Sequence, residues 1–69
     1  SKTVIDVVKL SAGQSVKFEQ ELLAYVFAGN ATFSDTNNSF AAEDGDLIRS
    51  YNTEIYTESA VEIVVVSKK

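Results

Sequence analysis

The sequence predicts an all-β protein, a small barrel or sandwich of about eight short antiparallel strands. Apolar and polar residues alternate with a two-residue period in several segments, which is the pattern of a half-buried strand. Turn-forming residues separate these segments at short intervals, and the chain contains no proline that would weaken a strand. A chain of 69 residues is expected to form one small domain over residues 1–69.

The apolar run Glu21–Gly29 is predicted to be the central strand. Its two faces are both apolar, so we expect both to be covered. Gly29 and Asn30 tolerate positive φ angles, which predicts a tight hairpin to a returning strand over residues 31–35. Apolar residues within 18–26 also fall at helical spacing, so a helix is the alternative there.

The other strands are predicted from the same alternation. Two of them, at residues 3–10 and 16–19, precede the central strand, and four follow the hairpin, at 40–42, 46–51, 54–58 and 60–67. The turns between these strands are predicted at 11–14, 36–39, 43–45 and 52–53, where Gly, Asn, Asp and Ser are concentrated.

Composition excludes several classes of function. The chain has ten acidic and six basic residues, a net charge of −4, which argues against nucleic acid and anionic membranes as partners. It has no Cys and no His, so we expect neither disulfides nor a bound transition metal. The first residues lack the apolar core of a signal peptide, and a cytoplasmic protein is therefore expected.

The small size of the chain predicts self-association. Small domains bury a limited core and commonly need disulfides, a metal or a partner. Apolar residues on the second face of the central and last strands need a cover, so we expect a homodimer or higher oligomer. The predicted interface residues are Leu23, Tyr25, Phe27, Val64 and Val66.

Two landmarks point to a known family. One is the segment Tyr25–Gly29, and the other is Ala42–Ile48, an acidic turn with Gly-Asp leading into a strand. Their order, followed by a final Val-rich strand, resembles the cupin superfamily from about Gly13 to Val66. The resemblance implies a small cupin-like barrel or sandwich.

The resemblance also implies where the metal ligands of that family, three histidines and a glutamate, would lie. Counting from Gly13 places Glu19 and Glu21 at the first two histidines, and counting back from Gly29 places Leu22 at the glutamate. Counting from Gly45 places Tyr51 at a usual proline and Tyr56 at the third histidine. The ligands are therefore replaced, and the chain resembles metal-free cupin-like proteins, which include small binding, sensor and assembly domains. No cofactor is expected.

Four residues are candidates for binding a small molecule: Arg49, Tyr25, Tyr51 and Tyr56. Arg49 is the only cation between Phe18 and Ser67, and its guanidinium suits a carboxylate or phosphate. Alternatively, it pairs with Glu54 or Glu62. The tyrosines have an apolar ring and a polar tip that suit a cavity, or else they pack in the core or an interface.

Three functions remain open from the sequence. The first is a non-catalytic, cupin-like small-ligand-binding or assembly domain that acts as a homo-oligomer. The second is a metal-free sugar isomerase or epimerase that uses Tyr and Glu in acid–base chemistry. Glu19 and Glu21 share one strand face and are an acid–base pair, hard-metal ligands or part of a solvated strand edge. The third is a structural protein of a phage or mobile element. No nucleophile–base pair is apparent, so no catalytic residue is assigned.

Overall fold

A computed structural model describes residues 2–68 and contains six strands. They are β1 (Thr3–Leu10), β2 (Ser15–Ala28), β3 (Asn30–Ser34), β4 (Ser39–Glu43), β5 (Leu47–Tyr56) and β6 (Val61–Lys68). All pair antiparallel in one curled sheet of order β1-β6-β2-β5-β3-β4. The all-β prediction is confirmed, and residues 18–26 form a strand. Residues 2–68 include no helix long and apolar enough to cross a membrane.

The structure has six strands where the sequence predicts about eight. Residues 16–19 and the predicted central strand are one 14-residue strand, β2, with a bulge between Phe18 and Glu21. The predicted turn at 52–53 lies inside β5, where Asn52 has a φ of 53°. Asn52 lies opposite the bulge of β2, and Asn adopts the left-handed conformation there as it does in turns, so the residue type alone does not distinguish the two.

The predicted hairpin at Gly29–Asn30 is wrong. The chain does turn at Gly29, whose φ is 94°, but β3 pairs with β4 and β5 and not with β2. Both edges of β2 are already occupied, by β5 on one side and β6 on the other. The chain must therefore leave the plane of β2, and Gly29 is a corner at which it crosses to another part of the sheet.

The core lies on one face of the curled sheet. Alternate residues of every strand point inward, and β2 contributes Leu22, Ala24 and Val26. The other buried apolar residues are Ala31, Phe33, Ala42, Ile48, Ile55, Val61, Ile63 and Val65. Only the inner face of the central strand is thus buried by the chain itself, and the opposite face of β2 is left to solvent or to a partner.

Three hydroxyl side chains are buried with this core: Thr53, Thr57 and Ser67. The Thr57 hydroxyl has two acceptors for its proton, the Asn30 carbonyl at 3.0 Å and the Ser59 carbonyl, and it accepts the Ser59 amide at 3.2 Å. These contacts tie the end of β5 to the start of β3. Ser67 is 2% exposed, and its Oγ has no hydrogen-bond partner among the described residues. Burying a hydroxyl without a partner is unfavourable.

We therefore expect Ser67→Ala to raise the free energy of unfolding by about 1 kcal/mol, because it removes the unpaired hydroxyl. Thr57→Val is the matched control. It should lower the free energy of unfolding by about 1–3 kcal/mol, since it leaves the Asn30 carbonyl and the Ser59 amide unpaired. Urea unfolding followed by circular dichroism measures both. A loss of stability in Ser67→Ala would show that its hydroxyl has a partner.

Candidate functional site

The outward face of β1, β6, β2 and β5 exposes a contiguous apolar surface. One row across the sheet places Val7 opposite Val64, Val64 opposite Tyr25, and Tyr25 opposite Leu47. We call this surface the apolar patch; its residues are Ile5, Val7, Leu23, Tyr25, Phe27, Leu47, Val64 and Val66. Ile5, Val7, Phe27 and Leu47 are each more than 60% exposed, at 68%, 64%, 63% and 65%.

All five residues that the sequence predicts at an interface lie in the apolar patch. Leu23, Tyr25 and Phe27 come from β2, and Val64 and Val66 come from the neighbouring strand β6. The flanking residues, Ile5 and Val7 of β1 and Leu47 of β5, were not predicted from the sequence. Alternation in each strand indicates one outward face, but only the strand order shows that these faces adjoin.

Charged residues surround the apolar patch in equal numbers of each sign. The outward face carries four cations, Lys9, Lys17, Arg49 and Lys68, and four acids, Glu19, Glu21, Glu54 and Glu62. Its formal charge is therefore zero, whereas the whole chain carries −4. The surplus of acids lies elsewhere on the molecule, so this face is the part of the surface with least electrostatic repulsion toward a copy of itself.

A cleft opens beside the first half of β5. It has a volume of about 560 Å³ and is lined by residues 35–40, which form the β3–β4 turn and the start of β4, and by residues 49–52 of β5. It exists because β3 pairs with β5 only at Glu54–Tyr56 within the described chain, while β4 pairs with β3. The edge of β5 before Glu54 therefore faces open space instead of a neighbouring strand.

The walls of the cleft are held in place by local contacts. The Asp35 carboxylate accepts the backbone N–H groups of Asn37 and Asn38 at 2.8 and 2.7 Å, and the Asn38 carbonyl accepts the Asp35 N–H at 2.9 Å. Phe40 stacks on the buried Phe33 with ring centroids 5.8 Å apart and an interplanar angle of 12°. A fixed turn and an anchored aromatic ring thus form one side of the cleft.

The structure brings together two of the four predicted ligand-binding residues. Arg49 and Tyr51 both line the cleft. Tyr25 lies in the apolar patch, and Tyr56 lines a separate depression with Glu43 and Glu58. The set of tyrosines, arginine and carboxylate that an acid–base enzyme would need is therefore spread over three places.

The predicted ion pairs of Arg49 are not favoured by the strand register. Glu54 lies opposite Lys17, and Glu62 lies opposite Lys9. Arg49 lies opposite Leu23, which is two residues from Glu21 on the same face of β2. Glu21 is therefore a diagonal neighbour of Arg49. The guanidinium is exposed at the margin between the apolar patch and the cleft.

Comparison with known proteins gives a result for the fold alone. No family model matches the sequence, and no curated protein matches it. A cupin superfamily protein from Desulfitobacterium hafniense superposes with a TM-score of 0.83 at 13% identity, covering 94% of this chain and 65% of that one. The EutQ protein of Clostridium difficile superposes with a TM-score of 0.77 at 12% identity, covering 94% and 55% of the two chains.

This protein has a cupin-like fold. A third structure, described as a predicted oxalate decarboxylase from Thermotoga maritima, superposes with a TM-score of 0.72 at 21% identity and covers 91% of this chain and 63% of that one. The chain thus spans between about half and two thirds of the length of these three structures.

The residues of this cupin-like chain do not fit the metal that the resemblance implies. Leu22, one candidate ligand position, is buried in the apolar core, and Glu19 and Glu21 are exposed on the outward face. No group of three His, Cys, Asp or Glu side chains is arranged for a metal ion within residues 2–68. The expectation of a metal-free protein remains a prediction, to be checked by metal analysis of the purified chain.

Proposed function

We propose that this chain is a non-catalytic, cupin-like assembly domain that works as a homo-oligomer, with the apolar patch as its interface. The observation that carries the proposal is the continuity of the apolar patch over four neighbouring strands. Scattered exposed apolar residues are normal, but a contiguous group of this kind marks an interaction site.

The size of the apolar patch supports a stable interface. Its four most exposed side chains alone leave on the order of 500 Å² in water, near the upper limit for the largest patch on a monomer. With the partly exposed Leu23, Tyr25, Val64 and Val66 and the charged rim, the face approaches the roughly 800 Å² per partner of a standard interface. Aromatic residues such as Tyr25 and Phe27 are enriched in the cores of protein interfaces.

The charge distribution supports a second copy of the chain as the occupant. A strongly charged partner would find no net opposite charge on a face with four cations and four acids. A two-fold related copy, by contrast, can place cations of one rim against acids of the other. A cytoplasmic location is part of the proposal, since small domains of oxidising compartments commonly depend on disulfides and this chain has no Cys.

The mass in solution tests the proposal directly. Light scattering at micromolar concentration is expected to give at least twice the chain mass of 7.5 kDa. The dissociation should depend only weakly on added salt, because the interface that we propose has an apolar centre and exposed ion pairs at its rim contribute little. A stable, folded monomer at these concentrations would contradict the proposal.

A further inference from the structure

We propose that the cleft beside β5 binds a single sugar that carries an anionic group, a function separate from self-association. The cleft volume of about 560 Å³ lies within the range of small-molecule sites. None of the residues that line it belongs to the apolar patch, and Arg49 alone is shared with the charged rim around that patch. The ligand class follows from three features of its walls: the exposed strand edge, the side chains and the charge.

The backbone of β5 offers hydrogen-bonding groups to the cleft. In a strand, alternate residues direct their N–H and C=O groups to opposite edges. Along residues 47–51 of β5, one edge pairs with β2. On the opposite edge, β3 pairs with β5 only from Glu54 onward among the described residues. Backbone donors and acceptors between Arg49 and Asn52 therefore need partners from water or a ligand.

The side chains of the cleft suit several hydroxyl groups. Asn37, Asn38 and Asn52 carry amides that both donate and accept. The Ser39 and Ser50 hydroxyls pair with the Ser34 and Thr53 hydroxyls, and each can still accept a further hydrogen bond. Asn52 holds its position in the left-handed region, with φ at 53°, a conformation that few non-glycine residues adopt and that recurs at binding sites. A polyhydroxylated molecule can satisfy such a set, whereas an apolar ligand cannot.

Two aromatic rings and one cation complete the specificity. Phe40 is 41% exposed and Tyr51 is 66% exposed, so both offer apolar surface to the C–H faces of a sugar ring. Arg49 is the one cation among the lining residues, and the one lining carboxylate, Asp35, accepts two backbone N–H groups of its own turn through Oδ1. A guanidinium in this position favours a carboxylate or phosphate on the ligand.

Calorimetry with chosen probes tests this inference. Glucuronate and glucose 6-phosphate, which distinguish a carboxylate from a phosphate, are compared with neutral glucose and with acetate. At least one anionic sugar is expected to bind about 10-fold or more tightly than glucose and acetate, because charge-assisted hydrogen bonds to Arg49 are added to those of the hydroxyls. Equal affinity of glucose, or of acetate, for the protein would overturn the inference, as would no binding of either anionic sugar at millimolar concentration.

Two variants and a spectrum locate the site. Arg49→Gln is expected to reduce binding of the anionic sugar about 10-fold or more. Lys9→Gln removes an equal charge from the outward face, does not touch the cleft and should leave the affinity unchanged. In an NMR titration with the anionic sugar, the changes in backbone amide chemical shift should be concentrated in residues 36–40 and 49–52. Shifts elsewhere, or unchanged affinity in Arg49→Gln, would contradict the assignment, whatever the oligomeric mass proves to be.

Discussion

A Phe27→Lys variant is expected to be a folded monomer at concentrations at which the unmodified chain is an oligomer. Phe27 is 63% exposed in the protomer, so the fold does not depend on burying its ring. In the proposed interface the ring is buried, and a lysine there would place a charge in an apolar contact, where it loses its hydration. An aromatic residue that acts as an interface hot spot contributes about 2 kcal/mol or more, and losing it raises the dissociation constant roughly 30-fold or more.

Two further variants make this result specific to the apolar patch. Val7→Lys changes a residue of β1 that is 64% exposed and should also yield monomers, because Val7 continues the same row of the sheet. Tyr56→Lys replaces an aromatic residue in the depression with Glu43 and Glu58 and should keep the oligomeric mass. Light scattering and circular dichroism together separate dissociation from unfolding. If both patch variants remain folded oligomers, the apolar patch is not the interface.

Gly29→Ala is expected to lower the free energy of unfolding by about 3–5 kcal/mol. Gly29 has a φ of 94°, in the region that disfavours side chains. An added Cβ would also lie 2.5 Å from the Ala60 carbonyl oxygen and 3.1 Å from the Val61 Cα, both of them backbone atoms. The backbone of the loop before β6 would have to shift, and that shift would disturb the pairing of β6 with β2.

Gly13→Ala is the matched control for this change. Gly13 has a similar φ of 84°, but an added Cβ would meet no atom within 4 Å. Only the conformational cost should remain, about 1–2 kcal/mol. Denaturant unfolding of the two variants side by side measures the difference. Equal losses of stability would show that the close approach to Ala60 is relieved without cost.

Much of the fold could be predicted because its causes are local. The two-residue alternation of Leu22, Ala24 and Val26 with Leu23, Tyr25 and Phe27 correctly separates the two faces of β2. A helix over residues 18–26 would have mixed these faces. The conformational freedom of Gly29 was also evident from its residue type. The strand with which the chain pairs after Gly29 could not be predicted in this way, because it depends on which strand edges are already paired.

The candidate sites divide in the same way. Arg49 and Tyr51 were identifiable as unusual side chains, but Asn37 and Asn38 become their neighbours only through the pairing of β3 with β5 at Glu54–Tyr56. Asn52 was interpreted as a turn because a left-handed residue inside a strand has the same sequence signal as one between strands. Nothing local distinguishes the two cases.

The sequence by itself determined the strand class, the inward or outward face of most residues, and the absence of the thiol and imidazole ligands that metals favour. These follow from side-chain chemistry and from the two-residue period of a strand. The tertiary structure alone decided the strand order, the continuity of the apolar patch from β1 to β5, and the cleft beside β5. Those features depend on backbone pairing between distant segments, and every strand carries the same backbone groups.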